Sequence, residues 1–367
     1  MNGFRRYIRP VATIVSVALF VYLIRRTGPQ TVFQNVRLLG WSMLLLILLS
    51  GIRHVLRAQA WSWSVQTEGA RPAALQLLGP RLMGEALNDL TPAGPLLGEP
   101  AKIAAVSEWI GAEEAASSVV IENLIYLLSA LLFMMSGVVL ALLKIAALRS
   151  MVWIAAGLAV CFAGPVAFLF WAICRRRLLL ASVLDCLNRL GFRGALLDRH
   201  GPSLCRVESM VYDFFRQRKR AFLGVFAAEI ATNFTGICEA YVILAATTGS
   251  SSVLAAYLVE TVSRAVQLAF SFVPLGLGVQ EGATAATLQT LGGAAGAGVS
   301  LAIIRKIRSL FWAGIGLCLM PKYAAIFSAR GKNEVEVRKI SEIKPAVATA
   351  QQRRTRDEVY EIGRLAS

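Results

Sequence analysis

The sequence predicts an all-α polytopic membrane protein, with about six spanning helices and two re-entrant helical hairpins arranged as an inverted-topology repeat. Three observations lead there. The 367-residue chain is 56% hydrophobic with a mean hydropathy of +0.60, more apolar surface than a soluble fold of that length buries. Its apolar runs are close to the ~20 residues that cross ~30 Å of hydrocarbon. Two further stretches, 72–112 and 251–292, are moderately apolar, broken by proline and glycine, and charged where hydrocarbon penalises charge.

The first run, about 7–24, has the basic start of a signal peptide. Arginines follow it and no small-residue cleavage site does, so it reads as an uncleaved helix. Further spans are expected at about 40–60, 117–143, 151–173, 220–247 and 296–320. Between the fourth and fifth lies a basic segment, 174–220, with CRRRLLL at its start and RQRKR at its end. Apolar residues recur there at helical spacing, which fits an amphipathic helix pair on anionic lipid. The net charge of +16 concentrates in this segment and in the tail after Pro321. Both flank apolar spans, the positive-inside pattern, and not the footprint of a nucleic-acid binder.

Orientation follows from those segments. With both on the cytoplasmic side, the N-terminus and C-terminus are cytoplasmic, 72–112 enters and leaves on the inner side, and 251–292 on the outer side. Arg25, Arg26, Arg37, Lys144 and Arg149 run against this assignment. Residues 1–325 form one transmembrane domain with inverted halves at about 40–143 and 220–320, followed by a charged cytoplasmic tail, 326–367.

Each half contains P-x-G-x4-E: Pro92, Gly94 and Glu99 in the first, Pro274, Gly276 and Glu281 in the second. Proline removes a backbone donor and breaks a helix; glycine permits the reversal that follows. Backbone polar groups at membrane depth are tolerated only where they line a cavity or are buried in protein. Two such breaks at matching points of inverted halves mark a repeat whose half-helix ends converge on a hydrated site. Helix N-termini there attract anions, phosphate included.

Charged and polar residues inside apolar segments supply the candidate substrate-binding set. Arg53 and Arg57 are spaced i, i+4 on the second span, with His54 between them, and Glu85 and Asp89 are i, i+4 on the first arm of the inner hairpin. Glu99 and Lys102 follow on its second arm, Glu122 and Asn123 open the third span, and Glu229, Asn233 and Glu239 lie on the fifth. Glu260 and Arg264 are i, i+4 on the first arm of the outer hairpin, with Gly278 and Glu281 beyond its break. Blander readings exist for several. Glu260–Arg264 fits a plain intrahelical ion pair, Arg53 and Arg57 fit snorkelling side chains, and Glu99 and Glu281 fit carboxylates capping helix starts. Trp61, Trp63 and Trp109 fit interfacial anchors. Six cysteines without CxxC spacing and two histidines give no disulfide framework and no metal site. No nucleophile motif, nucleotide loop or cofactor signature is present, so no catalytic residue and no cofactor is expected.

GEALNDLTPAGPLLGEPAK at 84–102 and FVPLGLGVQEGA at 272–283 resemble the lysylphosphatidylglycerol synthase transmembrane-region family, often labelled flippase-like. The first is close to that family's Asn/Thr-Pro…Gly-Glu…Lys run, which brings in Asn88, Thr91 and Pro92. The second is close to its Pro-Gly-Gly-Leu-Gly-x-x-Glu-Gly run, departing at Leu275, where glycine is common. The resemblance covers roughly 5–325 and is nearest the hopanoid-associated subgroup. It implies lipid translocation in the bacterial inner membrane, with an anionic or polar lipid headgroup as partner. Lipid-biosynthesis proteins are further candidate partners. The short tail has no room for the soluble aminoacyl-transferase domain of the full synthases. A membrane-embedded enzyme using Glu85 and Asp89 as acid and base, or a non-catalytic partner of a lipid-synthesis complex, are the other readings.

Overall fold

The computed structural model describes residues 37, 39–67, 69–91, 94–144, 164, 167, 171, 195–249, 252–271, 273–276 and 278–323. The first expected span, nearly all of the fourth, residues 174–194, Pro92 and the charged tail lie outside the described residues. Everything below concerns the unit Ala12–Met320.

Among the described residues the ordered elements are all helical. They are α1 (Ser42–Ser64), α2 (Ala74–Leu90), α3 (Gly94–Ile110), α4 (Ala112–Lys144), α5 (Ala195–Gln217), α6 (Lys219–Thr248), α7 (Val253–Ala269), a 3-10 turn at Pro274–Gly276 and α8 (Val279–Thr290). A final helix, α9, covers 295–320 of this unit. Three of them, α1, α4 and α6, are long and apolar enough to cross a membrane, at the places where the second, third and fifth spans are expected. The region expected as the last span is helical within α9, but Arg305, Lys306 and Arg308 interrupt its apolar run.

Local sequence explains the helix boundaries. α4 starts after Gly111 (φ 85), carries Glu113 and Glu114 in its first turn and Lys144 in its last, so charge complements the helix dipole at both ends. Its start at Ala112 puts Glu122 and Asn123 in the helix interior and not at its opening. α6 ends at Gly249 (φ 70), whose left-handed backbone lets its N–H reach Ala245 O at 3.1 Å. The Ser252 hydroxyl accepts the Ala255 N–H at the start of α7.

Burial is inverted relative to a soluble helix. On α6, Leu223, Ile230, Phe234 and Tyr241 are exposed, whereas Glu229, Thr232, Asn233 and Glu239 are buried. On α1, Leu44, Leu48, Ile52 and Val55 are exposed while Ser50 and His54 are buried. An apolar outside around a polar inside is the arrangement a lipid solvent selects, because hydrocarbon offers charged groups no hydrogen bonds.

α1 and α6 pack along their lengths, and α2 packs against α3, α7 against α8. The α2–α3 pair closes through small residues: a side chain at Gly98 would overlap Asn88 and the carbonyl of Gly84, and one at Gly84 would meet Lys102. Gly98→Ala is therefore expected to prise the two arms apart. The mutant should lose most of its monodisperse fraction in size-exclusion chromatography after detergent extraction, whereas Gly282→Ala, which faces open space, should not.

The two breaks differ. After α2 the chain turns at Thr91, which is extended (φ −111, ψ 145), with its hydroxyl donating to Leu87 O at 2.6 Å. After α7 the turn contains three left-handed residues, Leu275 (φ 52), Gly276 (φ 57) and Gly278 (φ 84). A leucine in that conformation costs roughly 1–2 kcal/mol, a cost glycine would not carry. Its side chain packs against Ala86, Leu90, Leu310 and Ala313, so the second break is seated on the first hairpin and on α9. Trp61 is not an interfacial anchor: it is 1% exposed and donates its indole N–H to Ser118 Oγ at 3.0 Å. Trp109 is exposed.

Candidate functional site

The helices surround a cavity of about 430 Å³. Of the residues the sequence singles out, Arg53, His54, Arg57, Glu85, Asn88, Asp89, Glu99, Lys102, Asn123, Glu239, Glu260, Arg264 and Gly276 line it. Glu229 and Glu281 are outside that lining but pair with Arg57 and Lys306, which form it, and Asn233 is buried on α6 outside the lining. Thr91, Pro274 and Gly278 belong to the two breaks and not to the cavity lining.

Most of these charges neutralise one another across helices. Arg57, on α1, reaches Glu122 on α4 at 3.0 Å, Glu229 on α6 at 3.5 Å and Glu85 on α2 at 3.6 Å, with its guanidinium 4.4 Å from the Tyr126 ring centre. Arg81, fully buried on α2, pairs with Glu85 at 2.8 Å and with Glu122 at 3.1 Å. His54 Nδ1 lies 2.9 Å from Glu85, and its ring sits 4.8 Å from Trp312, whose indole N–H donates to Ser50 Oγ. One cluster thus ties α1, α2, α4, α6 and α9 together. The alternative of snorkelling does not describe Arg57, which is held inward by three carboxylates.

A second cluster joins α6, α7 and α9. Glu260 accepts from Arg264 at 3.0 Å and also pairs with Arg305, while Arg305 donates to the Gly236 carbonyl at 3.2 Å. The Glu260–Arg264 pair is thus intrahelical and also part of a larger network, with Arg264 donating to Tyr126 OH. Arg308 pairs with Glu239. In each cluster a spanning helix is stitched to the helix that follows the broken pair: α1 to α4 through Arg57–Glu122, and α6 to α9 through Glu239–Arg308, with the signs exchanged.

The two motif glutamates are held differently. Glu99 accepts from Lys102 at 2.9 Å, Asn123 at 3.0 Å and Asn88 at 3.3 Å, joining both arms of the first hairpin to α4. Glu281 accepts the Gly278 N–H at 2.8 Å and pairs with Lys306. The anion at the N-terminus of α8 is therefore the chain's own carboxylate.

Arg53 and Asp89 stand apart. Both are half-buried and both line the cavity, yet among the described residues neither makes an ion pair or hydrogen bond. Arg264 Nη2, Ser263 Oγ and Asn88 Oδ1 are buried without a hydrogen-bond partner beside them. A buried polar group left without a partner costs roughly 1–3 kcal/mol, so these atoms mark where water or a ligand completes the site. Seven basic and five acidic side chains line the cavity, a surplus of positive charge that suits an anionic group. No group of three metal-ligating side chains occurs among the described residues.

The sequence model of the lysylphosphatidylglycerol synthase TM region matches residues 11–316. The chain belongs to that family. No curated protein and no solved structure matches it significantly. Membership, together with the three apolar helices, makes it a multi-pass membrane protein of lipid metabolism or transport. The matched region contains both hairpins and the whole cavity.

Residues that sequence reasoning passed over complete the site: Arg81, Tyr126, Arg305, Lys306, Arg308 and Trp312. The signal was present in LAIIRKIRSLFWAGIG, where three basic residues within four positions interrupt an apolar run. Such charges require partners, and Glu239, Glu260 and Glu281 are those partners.

Proposed function

We propose that this family member translocates a polar lipid, or a lipid-linked headgroup, between membrane leaflets, with the headgroup passing through the cavity between the two hairpins. Arg53 and Asp89 carry the reading: opposite charges on one cavity wall set, without partners in contact. Arg53, with the free Nη2 of Arg264, would take the phosphate; Asp89 would take a cationic substituent where the lipid has one. Leu127, Val266, Leu268 and Phe270 in the same lining are suited to accompany an acyl chain.

The two broken helix pairs are proposed to dip into the bilayer from opposite sides as halves of an inverted repeat, so that rocking of one half against the other opens the cavity alternately. The matching P-x-G-x4-E motifs and the sign-exchanged stitches Arg57–Glu122 and Glu239–Arg308 support that reading. The proposal extends to an inner-membrane location with cytoplasmic termini, and to the hopanoid-associated subgroup on the strength of residues 84–102 and 272–283.

The test is reconstitution of purified protein into liposomes holding a trace of headgroup-labelled phospholipid. An impermeant quencher applied outside is expected to bleach more than the outer-leaflet half of the label, with the lipid's mass unchanged. A changed mass would instead make the protein an enzyme, and quenching equal to that of protein-free vesicles would refute translocation of that lipid.

A further inference from the structure

A second pocket lies away from the central cavity, where α5 gives way to α6. Arg218 breaks the helix there with φ −108 and ψ 50, so α6 begins at Lys219 with no side-chain cap and no acidic residue in its first turn. Trp63, near the end of α1, packs its ring against Gly224, close enough that a Cβ there would sit 3.1 Å from the indole. Arg71 comes from the link between α1 and α2. The pocket measures about 660 Å³ and is lined by Arg71, Arg216, Arg218, Lys219, Arg220 and Trp63, with no carboxylate in its lining.

Five cations line one pocket, four of them exposed and Arg218 half-buried, and among the described residues none of the five pairs with an acid. Only Arg218 has a polar contact, donating weakly to Val65 O at 3.4 Å. Burial and the nearby Arg71 guanidinium lower the pKa of Arg218, the expected sign for like charges brought together. The position is also fixed: the side chain of Gln66 donates to Met210 O at 2.9 Å, and Phe214 and Val225 pack in one apolar cluster with Ala60. The protein therefore holds these charges together in a folded junction. Folding gains nothing from doing so, and a bound anion would offset the repulsion.

Depth identifies the source of that anion. The pocket sits at the first residues of α6 and the last turn of α1, both candidate membrane-crossing helices. Their ends mark the plane of lipid phosphates, and Trp63 has the amphipathic ring favoured at that plane. We propose that this junction is a binding site for an anionic phospholipid whose headgroup carries two phosphates, held by Arg71, Arg218 and Arg220 with the α6 N-terminus behind them. The site is separate from the cavity and does not depend on what passes through it.

Native mass spectrometry of detergent-solubilised protein, titrated with diphosphatidylglycerol, tests this. Wild type is expected to retain one such lipid per chain in preference to phosphatidylcholine. Arg218→Gln/Arg220→Gln is expected to bind it roughly thirtyfold more weakly, from about one kcal/mol per charge. Arg71→Gln, an exposed change in a loop, should weaken it severalfold and guards against misfolding of the double variant. Arg53→Gln, in the central cavity, should leave this binding intact. Equal retention by wild type and both junction variants would overturn the proposal. So would equal competition by soluble pyrophosphate, which would make the ligand a water-borne polyanion and not a lipid.

Discussion

Glu122→Ala is expected to be the most damaging single substitution in the protein. Glu122 is 2% exposed and accepts from both Arg57 and Arg81, of which Arg81 is fully buried. Breaking a buried ion pair costs about 3–5 kcal/mol, and without Glu122 the two guanidiniums must share Glu85 and Glu229. Glu85 already serves His54, Arg81 and Arg57, and among the described residues Glu229 pairs with Arg57 alone. Thermal unfolding in detergent should show the midpoint falling by about ten degrees. Arg81→Met/Glu122→Leu removes a buried charge of each sign together with its desolvation cost. It should be less destabilising than the two single changes summed, by about 1 kcal/mol or more. An unchanged midpoint in Glu122→Ala would mean that the cluster is solvated and contributes little.

Arg53→Gln is expected to do the opposite: function lost, fold retained. Arg53 lines the cavity and makes no ion pair or hydrogen bond among the described residues, so its removal leaves no described partner orphaned. The thermal midpoint should stay within a degree or two of wild type. Lipid translocation in liposomes should fall at least tenfold, because a charge-assisted contact to phosphate is worth about 1.5–3 kcal/mol. Arg53→Lys should recover part of the rate, a point charge replacing a fork. Asp89→Asn should slow only lipids with a cationic substituent. A full rate in Arg53→Gln would detach this residue from transport.

These contrasting outcomes reflect what a sequence does and does not display. The helices at α1, α4 and α6 were legible because length and apolarity are local properties, and 20-odd apolar residues have few alternatives to a helix. The breaks after Leu90 and Ala269 were legible from Pro-x-Gly, since those residues act on their own backbone. The partners of the charges were not. That Arg57 meets Glu122, and Arg308 meets Glu239, depends on which faces of which helices pack together. Nor does spacing along the chain separate Arg53, which stays open to the cavity, from Arg57 one turn later, which is tied down by three carboxylates. Trp61 shows the same limit. Its place near a helix end suggests an interfacial ring, but Ser118 on α4 buries it.

The account depends on the cavity being wet. In a cysteine-free background, which requires replacing all six native cysteines, Ser309→Cys places a thiol in the cavity lining, and Ser129→Cys places one in a buried part of α4 outside that lining. A charged, membrane-impermeant thiol reagent applied to proteoliposomes should label position 309, more slowly when transported lipid is present, and should leave position 129 untouched. If position 309 reacts only after the protein is unfolded, the interior is dry and no headgroup passes through it.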